Sequence, residues 1–141
     1  MSLELEERER FRFFRLSPRE KEKLVEKLRD ELGKRREVVL AVVFGSFLKD
    51  YPFRDIDVAI YAVPLEDSLD YKLRLEDELE KVIGYPIDIA VLNEAPPWFV
   101  KKVLEEGRPI VEKQPLLLEK LYLKAVDEEQ VFSKRMVQGD Q

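Results

Sequence analysis

An α/β (α+β) fold, one domain built on a central sheet, is predicted by three features of the chain. Val38 to Phe44 is an apolar run rich in Val that ends in Gly45-Ser46. Two further apolar runs, Asp55 to Ala62 and Ile87 to Leu92, each carry acids near their starts. Between the runs lie segments with helical periodicity and short connections, giving the order α-β-α-β-α-β-α-β-α.

At 141 residues, the length predicts a single domain that can bury a substantial core. Hydrophobic residues at 45% supply that core, and charged residues at 39%, mixed in sign along the helices, argue against disorder. Glu and Lys are abundant, Asn occurs once and Cys is absent, a profile that resembles a hyperthermophile protein. The net charge of −5 argues against direct nucleic-acid binding, which needs a basic footprint. No apolar run is long enough to span a bilayer, and the acidic N-terminus lacks the apolar centre of a signal peptide. A cytosolic (cytoplasmic) protein without membrane contact is the expectation.

Residues 1–16 are expected to form an arm whose Phe11, Phe13 and Phe14 dock on the core or on a second subunit of a homodimer, or to be a frayed terminus with a few packed rings. Ser17-Pro18-Arg19-Glu20 starts a helix: Ser17 caps, Pro18 suits the first position and Glu20 completes a capping box. Leu24, Val25, Leu28 and Leu32 share its apolar face, and Gly33 reads as its stop. Val38 to Phe44 is β-branched and short, as expected of a central strand buried on both faces. A turn or short helix follows Gly45-Ser46, and Tyr51-Pro52-Phe53 breaks it before the strand at Asp55 to Ala62.

Ser68 or Asp67 caps the next helix, which runs to about Ile83 with Leu69, Leu73, Leu79, Val82 and Ile83 as its expected apolar face. A strand at Ile87 to Leu92, a helix from Pro97 to Glu106, a turn at Gly107-Arg108-Pro109 and a short strand at Ile110 to Glu112 come next. A final helix from about Leu116 to Glu129 and a polar tail complete the chain. The organisation read from this is an arm (1–16), a folded domain (17–113) and a C-terminal helix and tail (114–141).

With neither Cys nor His, thiolate nucleophiles, Ser-His-Asp triads and zinc sites built on those ligands are excluded. Any catalysis must rest on carboxylates, hydroxyls, Lys, Arg, backbone amides and a hard cation such as Mg²⁺ or Mn²⁺. Asp55 and Asp57 are two residues apart, so they point to one side of their strand. At about 4 Å and an effective dielectric of about 20, two such charges repel by roughly 4 kcal/mol. A divalent ion removes that cost; the alternative is two solvated acids at a strand end.

Asp88 lies between Ile87 and Ile89, where an unpaired charge costs several kcal/mol if buried and nothing if the strand is an edge with a wet face. The helix joining the Asp55 and Asp88 strands makes them parallel, which places all three acids at one end of the sheet. Gly45-Ser46 sits at the C-terminal end of its own strand, so it faces the acids only if that strand runs antiparallel to the Asp55 strand. Gly45 then allows a close backbone approach to a phosphate, and Ser46 with the following amides receives it. On its own, Gly-Ser is ordinary turn punctuation. The five glycines form neither a P-loop nor a dinucleotide-binding fingerprint.

Phe44-Gly45-Ser46, Asp55-Ile56-Asp57-Val58-Ala59-Ile60 and Ile87-Asp88-Ile89 together resemble the signature of the nucleotidyltransferases of the DNA polymerase β superfamily, and in particular the minimal (MNT) type that acts as antitoxin to HEPN-domain toxins. The resemblance runs from about Val38 to Lys113. It implies a nucleotidyltransferase-like mixed sheet with helices packed on it. It implies that Gly45 and Ser46 hold the β- and γ-phosphates of ATP, and that Asp55, Asp57 and Asp88 ligate two Mg²⁺ ions (Mn²⁺ in their place). Asp88 would also help deprotonate the acceptor hydroxyl, which attacks the α-phosphate and releases pyrophosphate.

The spacer before Asp55 is shorter than the family's usual one and lacks its Arg and Gly. Lys49 and Arg54 are the cations it offers to the triphosphate, or they are solvated surface charges. The resemblance further implies transfer of AMP to a tyrosine of a HEPN toxin encoded nearby. The alternatives are a non-catalytic antitoxin that neutralises its partner by contact, with the Phe-rich arm and Leu116-Leu117-Leu118, Leu121 and Tyr122 as its surface, and nucleotidyl transfer to a small molecule.

Overall fold

The computed structural model describes residues 12–139. These residues form four α-helices and four strands. These are α1 (Pro18–Gly33), β1 (Val38–Phe44), β2 (Ile56–Ala62), α2 (Ser68–Ile83), β3 (Ile87–Val91), α3 (Pro97–Glu106), β4 (Arg108–Glu112) and α4 (Leu117–Gly139). Single 3₁₀ turns follow β1 (Gly45–Leu48) and β3 (Leu92–Glu94).

The strands lie in the order β3-β2-β1-β4. β1 is antiparallel to both β2 and β4, and β2 is parallel to β3, so the sheet is mixed as the resemblance implies. β1 is central and its first six residues are buried, which accounts for its unbroken apolar run. A register irregularity between Val38 and Leu40 interrupts the alternation, and Val39 and Leu40 both join the cluster on one face.

Each sheet face carries a pair of helices. On the first, Leu24, Val25, Leu28 and Leu32 of α1 and Leu75, Leu79 and Ile83 of α2 pack on Val58, Ile60 and Ile89. On the second, Val100, Val103 and Leu104 of α3 and Leu117 and Ala125 of α4 pack on Val42 and Ala59. Burial at this density stabilises by about 1.5–3 kcal/mol for each large aliphatic side chain.

The α1 capping box forms as expected: Glu20 N–H donates to Ser17 Oγ at 3.1 Å, and Ser17 N–H donates to Glu20 Oε1 at 3.1 Å. α1 includes Gly33, and Lys34 closes it in ordinary right-handed geometry, so Gly33 is not the stop. Phe14 does dock: its backbone pairs with Phe53 at 2.8 and 3.1 Å, and its ring meets Tyr85 edge-on at 4.9 Å. Phe13 is exposed, and Phe11 lies outside the described residues.

Four expectations are corrected. The buried stripe of α2 is Leu75, Leu79 and Ile83, with Tyr71 partly buried above it; Leu69, Leu73 and Val82 are exposed. The expected face mixed two stripes, whereas the true one repeats every four residues from Tyr71. β4 begins at Arg108 rather than after Pro109, and Pro109 is tolerated because β4 is an edge strand. α4 continues through Gly139, beyond the expected end at Glu129. Within its first turns Leu117 is buried and Leu118, Leu121 and Tyr122 pack against the core, so most of the expected partner surface is taken up by its own domain while Leu116 stays exposed.

The open edge of β3 is covered by side chains of α2. Ile87 N–H donates to Glu80 Oε1 at 3.0 Å and Ile89 N–H donates to Glu76 Oε2 at 2.8 Å. Lys72 Nζ donates to the Ile89 carbonyl at 2.8 Å. These bonds occupy groups that would otherwise pair with another chain. Among the described residues, no helix is long and apolar enough to cross a membrane.

Candidate active site

Asp55 precedes β2 by one residue, Asp57 is the second residue of β2, and Asp88 is the second residue of β3. The parallel register pairs Asp57 with Asp88 directly, so their side chains emerge on one face at one end of the sheet. Each of the three offers a carboxylate oxygen, and these oxygens lie within 4.8 Å of one another. Asp55 and Asp57 are partly buried and Asp88 is exposed.

This crowding is visible in their acidity. Burial, and then the charges of Asp55 and Asp88, push the Asp57 carboxyl up to about 7. Asp55 is also raised, first by burial and then by Asp88, with the positive charge of Arg54 opposing the shift. Asp55 and Asp57 therefore hold protons that ordinary carboxylates release near pH 4. Oxygen-only donors that repel one another suit a hard divalent cation, in number and in kind.

Because β1 is antiparallel to β2, the end of β1 meets the start of β2, and Phe44 is the direct partner of Asp57. Gly45 follows with φ of 81°, and a Cβ on it would overlap the Asp57 carboxylate. The Gly45-Ser46 turn thus lies beside the acids, which was the geometric demand on this strand pair. Ser46 accepts the Lys49 N–H on its carbonyl at 3.0 Å, which closes the 3₁₀ turn.

The two spacer cations part company. Arg54 adjoins Asp55. Lys49 is exposed and lines a cleft of ≈390 Å³ on the α1 side, with Lys21, Tyr51 and Arg108 among its walls. Its carbonyl accepts from Lys21 Nζ at 2.7 Å.

Two features were missed from sequence. Phe44, Phe99 and Trp98 form an aromatic wall next to Asp57: Phe99 meets Phe44 and Trp98 edge-on, each at 5.8 Å, and Trp98 remains 60% exposed. Lys72 donates to Asp88 Oδ1 at 2.9 Å. The signal for Lys72 was its i, i+4, i+8 series with Glu76 and Glu80 on the polar side of α2, which faces the β3 edge.

A family model described as "Polymerase beta, Nucleotidyltransferase" matches residues 26–116. No curated protein matches. Among solved structures, a complex of tri-AMPylated Shewanella oneidensis HEPN toxin with MNT antitoxin contains a similar chain, with a TM-score of 0.66 and 20% identity over 85% of this chain and 96% of that one. The toxin–antitoxin MntA-HepT gives a TM-score of 0.62 and 20% identity over 88% and 97%. A toxin–antitoxin structure with AMP-PNP gives 0.64 and 22% over 85% and 95%. At these identities the structures speak for the fold, and the family match covers most of the chain, including β1, β2, β3 and the three acids. The chain belongs to the polymerase β nucleotidyltransferase family.

Proposed function

We propose that this protein transfers AMP from ATP to a hydroxyl of a partner protein, a tyrosine of a HEPN-domain toxin, and so acts as its antitoxin. The observation that carries the reading is the convergence of Asp55, Asp57 and Asp88, with oxygens within 4.8 Å, beside the Gly45-Ser46 turn. Further support comes from similar chains in structures described as a tri-AMPylated toxin complex and an AMP-PNP complex.

In this reading Asp55, Asp57 and Asp88 hold Mg²⁺, or Mn²⁺ in its place. Bound there, such ions would supply the positive charge that an in-line displacement at phosphorus needs. Gly45 gives the β- and γ-phosphates a close approach to the backbone, and Ser46 offers them its hydroxyl and amide. Arg54, beside Asp55, adds charge to the triphosphate, whereas Lys49 faces the cleft on the α1 side. Asp88, the exposed acid, takes the proton of the acceptor hydroxyl. The acceptor oxygen bonds to the α-phosphorus, the bond from that phosphorus to the β-phosphate bridge breaks, and pyrophosphate leaves. The Phe44-Phe99-Trp98 wall supplies an apolar face for the adenine ring.

A second reading, neutralisation by contact alone, is favoured by the exposed Leu116, Leu123 and Val131 at and along α4. Co-expression with the toxin separates the two. With the double substitution Asp55→Asn, Asp57→Asn, the enzyme loses protection of growth, whereas a contact antitoxin keeps it.

A further inference from the structure

Lys72 stands outside the three-acid cluster but is bonded to it. Its ammonium has three N–H donors, and the structure gives each an acceptor. Nζ is 2.6 Å from Glu76 Oε2, 2.9 Å from Asp88 Oδ1 and 2.8 Å from the Ile89 carbonyl. Two of these partners are not site acids. Glu76 is itself fixed by the Ile89 N–H at 2.8 Å, and Ile89 is a buried strand residue. The cation is therefore held in place by the fold, whether or not Asp88 is occupied elsewhere. With all three N–H donors engaged by acceptors, Lys72 acts as a donor and a cation here.

We infer that Lys72 is a positioning residue that fixes one oxygen of Asp88, presents the other to the carboxylate cluster, and lowers the site's negative charge before any metal arrives. The inference rests on the metal-site reading above and deepens it. Three acids that crowd one another would otherwise turn apart, because Asp88 is exposed and without the Lys72 bond its carboxylate could rotate. Anchored on Oδ1, it offers a single oxygen to a cation and keeps the orientation needed to take a proton. The same anchor works against a first divalent ion, because Lys72 repels it while the acids attract it. Lys72 therefore trades tightness of metal binding in the absence of nucleotide for a fixed Asp88 during transfer.

These effects pull in opposite directions, which makes them measurable. Lys72→Met removes a charge adjacent to the site, so Mn²⁺ alone should bind about tenfold more tightly, as followed by the electron paramagnetic resonance of free Mn²⁺. At saturating Mg²⁺ and ATP the same variant should transfer AMP at least tenfold more slowly. Lys72→Arg keeps the charge, so its Mn²⁺ affinity should stay within about twofold of the parent protein. A purely structural lysine predicts something else: a lower melting temperature with Mn²⁺ binding unchanged or weaker in the Met variant. Should Lys72→Met not fold, Lys72→Gln, which keeps a hydrogen-bonding tip without the charge, carries the same expectation. Unchanged or weaker Mn²⁺ binding in a folded neutral variant overturns the inference and leaves the metal site standing. Failure of the unsubstituted protein to bind Mn²⁺ overturns the metal site, and the role of Lys72 with it.

Discussion

Gly45 and Asp57 share one space: where any other residue at position 45 would place its Cβ, Asp57 places its carboxylate. The contact follows from the sheet. Antiparallel pairing sets Phe44 opposite Asp57, and the left-handed turn at Gly45 carries the backbone across the acid. The Gly-Ser turn and the acid are parts of one device, although they are far apart in sequence.

Gly45→Ala should therefore fold but fail. The φ of 81° costs a non-glycine residue about 1–2 kcal/mol, read as a shift in the denaturation midpoint. The larger effect is on chemistry, because the methyl group displaces the Asp57 carboxylate. A displacement on the order of 1 Å lowers transfer about a hundredfold. A Gly45→Ala protein with undiminished transfer would remove the turn from the site.

The raised pKa of Asp57 makes the metal-free protein pH-sensitive in a definite direction. Between pH ~4 and ~7 the folded state keeps a proton that the unfolded chain releases, so stability falls as pH rises through that window. Asp55 is shifted the same way. Glu20, Glu22 and Glu31 are lowered instead, so their contributions are lost only as pH falls below the ordinary glutamate range. Melting curves should show the decline from pH 4.5 to 8, and Asp57→Asn should flatten it. Because a metal takes the deprotonated carboxylate, Mg²⁺ should raise the melting temperature more at pH 8 than at pH 5. An equal gain at both values would speak against the cluster as the metal site.

Trp98 is the only tryptophan in the chain, so its emission reports on the aromatic wall without labelling. Titration with a non-hydrolysable ATP analogue and Mg²⁺ should quench or shift it. Trp98→Ala should weaken nucleotide binding by about tenfold, and Trp98→Phe by less, as expected for loss of ring stacking worth 1–3 kcal/mol. Emission that ignores nucleotide and responds only to the partner would reassign the wall to docking.

Ser17→Ala tests whether the effects above are local to the site. It removes the cap of α1 and should lower stability by about 1 kcal/mol in a denaturant titration, with transfer unchanged when assayed below the transition. A loss of transfer in the folded variant would tie α1 to the chemistry.

Much of the fold was legible because local signals agreed. β1 announced itself by an unbroken apolar run rich in Val, and α1 by a capping box and four apolar residues on one helical face. The convergence of Asp55, Asp57 and Asp88 was legible from strand parity and the parallel crossover, which fix side and end without knowledge of packing. The buried face of α2 was not. Leu69 and Leu73 are as apolar as Leu75 and Leu79, and only the position of the sheet chooses between the stripes. For Lys72 the i, i+4, i+8 series with Glu76 and Glu80 marks the polar side of α2, but its contact with Asp88, sixteen positions away, is set by the geometry of the intervening turn. The aromatic wall joins Phe44 at the end of β1 to the first turn of α3, a tertiary contact that periodicity does not encode.

Transfer of AMP onto a protein by the three-acid cluster leaves a mass on the acceptor. Intact-mass spectrometry of the HEPN partner after incubation with this protein, ATP and Mg²⁺ tests it directly. Gains of whole AMP units are expected, located on tyrosine by fragmentation and absent with the Asp55→Asn, Asp57→Asn double variant. A folded partner that gains no mass with any nucleotide, or that gains the same mass with the double variant, would contradict it.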